Sequence, residues 1–169
     1  MENIFDFYKG KRVFLTGHTG FKGSWMCKML ANAGAIVTGY SLEAPTEPSL
    51  FNIANIENDI KSVIGDIRDF AALKKAFDEA QPEIVLHLAA QPIVRDSYKG
   101  PAYTYETNVM GTLSLLQAAK LHWNGDWNGK RFYHISTDEV YGALELTNPE
   151  GIEPPFTTTA SSGEHHLAY

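Results

Sequence analysis

A parallel, doubly wound α/β sheet is the fold class this sequence predicts, and three observations predict it. Short apolar, β-branched runs alternate with amphipathic segments along the chain. A glycine-rich turn joins the first run to the first amphipathic segment. The fourth run, Ile84 to Ala89, is almost entirely apolar, as a strand covered on both faces should be.

In chain order, Arg12 to Thr16 (RVFLT) is the first strand. Phe21 to Ala33 follows as a helix, with Phe21, Trp25, Met26, Met29, Leu30 and Ala33 on one face. Gly34 stands where a helix C-cap belongs. Ile36 to Leu42 is the second strand. Glu43 to Asn58, rich in Glu, Pro and Asn, reads as a loop with a short helix around Pro48 to Ile53. Ser62 to Ile67 is the third strand. Asp69 caps a helix to Ala80 whose face is Ala72, Leu73, Ala76, Phe77 and Ala80, and Pro82 stops it. Pro101 opens a long helix to Leu121, with Tyr105, Val109, Thr112, Leu113, Leu116 and Lys120 on its face. A turn-rich break, Asn124 to Gly129, leads to the fifth strand, Arg131 to Ser136. Right-handed crossovers give the order 3-2-1-4-5. Beyond Gly142 the chain shows no periodicity, so 1–142 is the expected sheet domain and 143–169 an irregular segment.

Composition narrows the function. The chain has 169 residues, which fits one domain. With 44% hydrophobic and 20% charged residues it is neither disordered nor a disulfide scaffold. The net charge of −6 and the lack of a basic stripe exclude nucleic acid as the expected partner. The single cysteine, Cys27, lies among Trp25, Met26, Met29 and Leu30, which predicts a buried thiol and an intracellular chain. No run reaches the roughly 20 apolar residues of a bilayer span. The N-terminus lacks a signal peptide's basic start and apolar run. The cytoplasm is the expected location and no membrane is expected as partner. His165 and His166 have no nearby cysteine and no helical spacing, so no metal site is expected.

The turn Thr16-Gly17-His18-Thr19-Gly20-Phe21-Lys22-Gly23-Ser24 carries the strongest chemical signal. Gly17 permits a tight exit from the strand, Gly20 lets backbone amides approach a pyrophosphate, and Gly23 allows close helix packing. The helix start then offers free N–H groups and positive potential to phosphates. A P-loop is excluded, because Lys22 precedes Gly23 rather than following it. A nicotinamide dinucleotide is the expected cofactor. The acid that usually grips the adenosine ribose at the end of the second strand is replaced by Ser41, with Glu43 just past it. Those residues leave NAD and NADP open; the absence of an arginine beside Ser41 favours NAD. Asp66, after the third strand, is a candidate for the adenine amino group. His87, inside an apolar strand, reads as a satisfied core histidine. Gln91 and Arg95 suit either the cleft or a structural loop, and Asn108 is a candidate to hold backbone beneath the cofactor.

Five segments in order then become recognisable: Thr-Gly-His-Thr-Gly-Phe-Lys-Gly-Ser (16–24), Gly-Asp-Ile-Arg-Asp (65–69), His-Leu-Ala-Ala-Gln (87–91), Thr-Asn-Val-Met-Gly-Thr (107–112) and Ser-Thr-Asp-Glu-Val-Tyr-Gly (136–142). Together they resemble the extended short-chain dehydrogenase/reductase superfamily, a Rossmann fold, and within it the nucleotide-sugar 4,6-dehydratases. Up to Tyr105 the chain is similar to the CDP-glucose type, marked by residues 40–51 and 89–98. From Thr107 it is similar to the dTDP-glucose type, marked by residues 131–142 and 153–159, so the resemblance implies a composite of two related sequences. It further implies cofactor contacts at Gly17, Thr19, Gly20, Phe21, Lys22, Gly23, Ser41, Asp66, Ile67, Leu88, Ala89, Ala90 and Gln91. The implied substrate is a nucleotide-diphosphate sugar and the implied assembly a homodimer.

The resemblance also assigns roles after the fifth strand. Thr137 would hydrogen-bond the sugar C4 oxygen, Glu139 would take the C5 proton and Asp138 would protonate the departing C6 hydroxyl. Adjacent carboxylates suit acid and base roles when their environments separate their pKa values. Members of the superfamily also use a tyrosine with a lysine four residues later, and no Tyr-x-x-x-Lys occurs here. The expected chain is therefore the N-terminal dinucleotide-binding part of a longer enzyme, inactive alone, with Leu115 and Leu116 exposed where a further helix would pack. The rival readings are a non-catalytic NAD-binding module and an epimerase or reductase of the same superfamily.

Overall fold

The computed structural model describes residues 4–136. β1 (Arg12–Thr16), β2 (Ile36–Ser41), β3 (Lys61–Ile64), β4 (Ile84–His87) and β5 (Arg131–His134) form one parallel sheet in the order β3-β2-β1-β4-β5, as the alternation predicts. β1 is central: Val13 lies level with Val37 and Ile84, and Thr16 with Tyr40 and His87. Side-chain alternation sends Val13 and Leu15 to one face of the sheet and Phe14 to the other. On the first face they pack with Cys27 and Leu30 of α1 (Phe21–Asn32) and Phe51 of α2 (Leu50–Ile53). On the second, Phe14 packs with Leu73, Ala76 and Phe77 of α3 (Phe70–Ala80).

β3 and β4 end earlier than their apolar runs. After β3, Gly65 still donates its N–H to the Ser41 carbonyl at 2.8 Å and sits against the Tyr40 ring, where a Cβ would lie 2.5 Å from the hydroxyl; the strand does not continue to Ile67. After β4, the Leu88 N–H is shared between the Thr16 carbonyl, at 3.3 Å, and the Thr16 hydroxyl, at 3.2 Å, and the hydroxyl also accepts the Ala89 N–H at 3.1 Å. A helix the sequence reading missed, α4 (Val94–Lys99), precedes Pro101. The expected long helix is divided into α5 (Pro101–Tyr105), a π turn (Glu106–Met110) and α6 (Gly111–Trp123).

The apolar faces read for α1 and α6 are buried only in part, Leu30 inside and Met26 packed against the core. α1 buries Gly23, Ser24, Cys27 and Leu30, while Phe21, Trp25 and Met29 are exposed, Phe21 at 71%. α1 approaches the strand–helix turn so closely that only small side chains fit: Ser24 Oγ donates to the His18 carbonyl at 3.2 Å, and a Cβ on Gly23 would lie 2.0 Å from the Gly17 oxygen. Likewise the second helix turns Thr104, Thr107, Gly111, Leu115, Ala118, Ala119 and Trp123 inward, and Tyr105, Val109, Leu113 and Leu116 outward. A Cβ on Gly111 would stand 2.8 Å from Ile67 Cγ2. Leu115 is therefore buried and only Leu116 of the expected pair is exposed. α3 turns Leu73, Ala76 and Phe77 inside as read, while Ala72, also expected on that face, is exposed.

Cys27 is buried, and burial pushes its thiol up to about 12. Among the described residues, no helix is long and apolar enough to cross a membrane. Asp69 caps α3 as expected, its carboxylate accepting the Ala72 N–H at 3.1 Å. Asp69→Ala will lower stability by about 1 kcal/mol, the usual value of an N-cap, measured by urea unfolding.

Candidate functional site

The site forms along the carboxyl edge of the sheet, where β1, β2, β3 and β4 hand over to their loops. Gly17 leaves β1 with φ +77°, and a Cβ there would lie 2.9 Å from the Ala89 nitrogen. The glycine turn thus presses backbone to backbone on the segment after β4. Gly23 closes the turn on itself, since its Cβ position is 2.0 Å from the Gly17 carbonyl oxygen. Its close approach is to the turn rather than to the sheet. Gly20 is the N-cap of α1 and supplies no side-chain partner for the first helical N–H groups. That leaves an amide-lined, positively polarised helix end beside the turn, which fits a pyrophosphate. Phe21 and Lys22 follow on the exposed first turn of α1.

Thr19 is buried and ties the turn to β2. Its hydroxyl donates to the Leu42 carbonyl at 2.8 Å and meets Ser41 Oγ at 3.0 Å. Ser41 is thereby fixed at the strand end. Past it, Glu43, Glu47 and Glu57 line a cleft of about 490 Å³ together with Phe51 and Ser62. This cleft lies beside the β2–α2 connection and not at the glycine turn.

Asp66 is held by a residue the sequence reading missed. Arg68 Nη2 donates to Asp66 Oδ2 at 2.6 Å, and Nε reaches both oxygens. Arg68 also bonds Glu106 at 3.2 Å and stacks 4.6 Å above the centre of the Tyr103 ring. The Arg68 guanidinium holds the Asp66 carboxyl below its ordinary value. Ile67, next to Asp66, is buried against Gly111.

Leu88, Ala89, Ala90 and Gln91 leave β4 beside the glycine turn. Leu88 and Ala89 are half-buried, and Ala90 is exposed. Gln91 turns its side chain into its own loop: Oε1 accepts the Ile93 N–H at 2.6 Å, and Nε2 donates to the Ile93 carbonyl and to Thr104 Oγ1. Asn108 grips the Gln91 backbone at both groups, as expected: Oδ1 accepts the N–H at 2.7 Å and Nδ2 donates to the carbonyl at 3.1 Å. Arg95 is exposed on α4. Thr137, Asp138 and Glu139, like His165 and His166, lie outside the described residues.

Two buried histidines support the edge. His18, inside the glycine turn, bonds Ser62 Oγ at 2.7 Å and occupies the space above Gly39, where a Cβ would lie 2.4 Å from the ring. Burial lowers its pKa to about 4, weakly opposed by the Tyr40 backbone. His87 closes β4 between Thr16 and Thr112, a satisfied core histidine as read. Burial, reinforced by the charge of His134, lowers it to about 4. No local signal in the sequence pairs His18 with Gly39 or His87 with Thr112, because these contacts join separate strands and helices.

A doubly wound parallel sheet with a glycine turn at its central strand and loops gathered at the carboxyl edge defines a protein of the Rossmann fold class. The sequence profile of the family described as GDP-mannose 4,6 dehydratase matches residues 14–160, and the chain belongs to that family. CDP-glucose 4,6-dehydratase of Salmonella typhimurium is 53% identical over 94% of this chain and 45% of its own length. dTDP-glucose 4,6-dehydratase of the same organism is 35% identical over 89% of this chain and 44% of its own. The chain thus spans about half the length of the curated relatives it matches. Among solved structures, UDP-glucose 4-epimerase from Stenotrophomonas maltophila, with bound NAD and formylated UDP-arabinopyranose, superposes with a TM-score of 0.68 at 27% identity, covering 81% of this chain and 40% of that one. UDP-glucose 4-epimerase from Brucella ovis, in complex with NAD, gives 0.63 at 30% identity, covering 79% and 38%.

Proposed function

We propose that this chain is the dinucleotide-binding part of an NAD-dependent nucleotide-sugar 4,6-dehydratase that forms a 4-keto-6-deoxy sugar nucleotide, with CDP-glucose favoured over dTDP-glucose as substrate. The observation that carries the reading is the self-closed turn, where Gly23 abuts the Gly17 carbonyl and the helix start has no side-chain cap. The 53% identity to a CDP-glucose enzyme supports the nucleotide. Gly17, Thr19, Gly20, Phe21, Lys22 and Gly23 would hold the pyrophosphate side, Ser41, Asp66 and Ile67 the adenosine, and Leu88 to Gln91 the floor.

When bound, NAD supplies a hydride acceptor and donor. The chain's own part is binding and proton transfer. Glu139 takes the C5 proton once the neighbouring C4 is a ketone, Asp138 gives a proton to the C6 hydroxyl leaving as water, and Thr137 holds the C4 oxygen. Preference for NAD over NADP follows from charge. Glu43 stands just past Ser41, so a 2′-phosphate on the ribose held there would meet a carboxylate, with Glu47 and Glu57 lining the neighbouring cleft. The assembly we propose for the whole protein is a homodimer in the cytoplasm.

Calorimetric titration tests the cofactor: NAD⁺ will bind at least about tenfold more tightly than NADP⁺, a difference of about 1.4 kcal/mol. Equal affinities refute the charge argument, and no binding of either refutes the dinucleotide reading. The 169-residue chain will not form 4-keto product from CDP-glucose or dTDP-glucose with NAD⁺, whereas a full-length protein containing these residues will.

A further inference from the structure

His87 is buried between two hydroxyls, with Nδ1 2.7 Å from Thr16 Oγ1 and Nε2 2.9 Å from Thr112 Oγ1. The surrounding groups fix every proton in this row. Thr16 Oγ1 already accepts the Leu88 and Ala89 N–H groups, so its own hydrogen goes to Nδ1. Thr112 gives its hydrogen to the Asn108 carbonyl at 2.6 Å, so it accepts from Nε2. The row runs one way: from the amides of Leu88 and Ala89 through the Thr16 hydroxyl to Nδ1, and from Nε2–H through the Thr112 hydroxyl to Asn108.

We propose that His87, locked as the neutral Nε2–H tautomer, is a positioning residue that sets the 88–91 segment against the glycine turn for dinucleotide binding. Both ends of the row act on that one segment. At one end Thr16 holds the amides of Leu88 and Ala89. At the other, Asn108, whose carbonyl terminates the row, grips the backbone of Gln91 through its side chain. Between them, the Ala89 nitrogen packs where a Cβ on Gly17 would be, 2.9 Å away. The opposite tautomer would place a third donor on Thr16 and leave the Thr16 hydrogen without an acceptor. It would also require Thr112 to abandon Asn108 for Nε2. An imidazolium meets the first conflict. His134, with its ring 5.0 Å from His87, is the titratable group facing it across β5.

The proposal rests on the reading that residues 88–91 floor a dinucleotide, and its test separates the two. Long-range ¹⁵N–¹H correlation spectra of the full chain labelled at histidine will show His87 protonated at Nε2 and bare at Nδ1, unchanged between neutral pH and pH 5; the signal is assigned by its loss in His87→Asn. NADH titration follows by fluorescence. His87→Leu removes the acceptor for Thr16 and will weaken NADH about tenfold, the effect of one buried hydrogen bond. His87→Asn places an amide oxygen near the Nδ1 position and will recover most of that loss, although it melts no higher than His87→Leu. Thr16→Val will weaken NADH to the same degree as His87→Leu, and the double variant will lose no more than either. An Nδ1–H tautomer overturns the inference alone, as does an affinity loss in His87→Asn equal to that in His87→Leu. A wild-type chain that does not bind NADH overturns the dinucleotide reading and the positioning role with it.

Discussion

Gly23→Ala will abolish the proposed dinucleotide binding and destabilise the fold by about 3 kcal/mol or more, at the upper end of what overpacking costs. The added methyl would stand 2.0 Å from the Gly17 carbonyl oxygen and 2.8 Å from both the Gly17 carbonyl carbon and the His18 Cα. All three atoms are backbone, so no side chain can swing aside. Relief requires moving α1 away from the turn or opening the turn, and either movement carries the uncapped helix start away from the phosphate position. The clash also propagates. Gly17 is pressed on Ala89, and His18 fills the space over Gly39. Gly20→Ala is the control in the same turn. Its methyl would be 3.4 Å from the Gly17 oxygen at a φ of −74°, which any residue adopts, so it should fold normally. Thermal unfolding and NADH fluorescence on both variants test this. A Gly23→Ala chain that melts with the wild type would show that the turn is not closed as described.

The sheet order and the glycine turn were legible because each rests on local chemistry: β-branched runs, crossovers of helical length, and glycines spaced after a strand. The inward faces of the helices were not. In α1 and α6 many bulky apolar residues face outward while Leu30, Leu115 and Trp123 are buried, because close approach selects Gly23, Ser24, Gly111, Ala118 and Ala119 at the tightest contacts. A pattern reading that ranks faces by apolar size adds Phe21, Trp25 and Met29 to Met26 and Leu30, and so rotates the face away from Gly23, Ser24 and Cys27. The π turn was hidden for another reason. Glu106 to Met110 has ordinary helical composition, and what distinguishes it is tertiary: Asn108 is placed to hold Gln91. In the site, the sequence identified Asp66 but not Arg68, which binds its carboxylate from two residues on and stacks on Tyr103. A one-dimensional motif marks which backbone a cofactor approaches. It does not mark which side chains fix the loops around it, because those pairings join residues far apart in sequence.

The same two histidines that brace the carboxyl edge will make the fold acid-sensitive between pH 6.5 and pH 4. His18 and His87 are each lowered from the ordinary histidine value of 6.5 to about 4, chiefly by burial. The folded chain keeps both neutral in that interval while the unfolded chain protonates both. The unfolded state therefore binds more protons, and stability falls as pH falls. Their contribution is fully present above pH 6.5 and is lost once the folded pKa near 4 is passed. Each accounts for about 3 kcal/mol, from 1.36 kcal/mol per tenfold change in proton affinity. Together they approach the whole stability of an ordinary domain, about 5–15 kcal/mol. The paired carboxylates act in a different interval. Asp66, Asp78 and Glu83 are held below their ordinary values by Arg68, by Lys74 and His122, and by the Arg12 backbone with Lys11, so their contributions are intact from pH 7 to pH 5 and fade only as pH falls below those ordinary values, 4.5 for Glu83 and 3.8 for the two aspartates. Urea unfolding at pH 7, 6 and 5 will show a steep loss of stability. In His87→Asn, which removes one of the two titrating groups, the loss between pH 7 and pH 5 will be about half as large. A wild-type stability unchanged from pH 7 to pH 5 would mean that the two imidazoles take up protons in the folded state, and the neutral rows that join Thr16 to Thr112 and His18 to Ser62 could not then be as drawn.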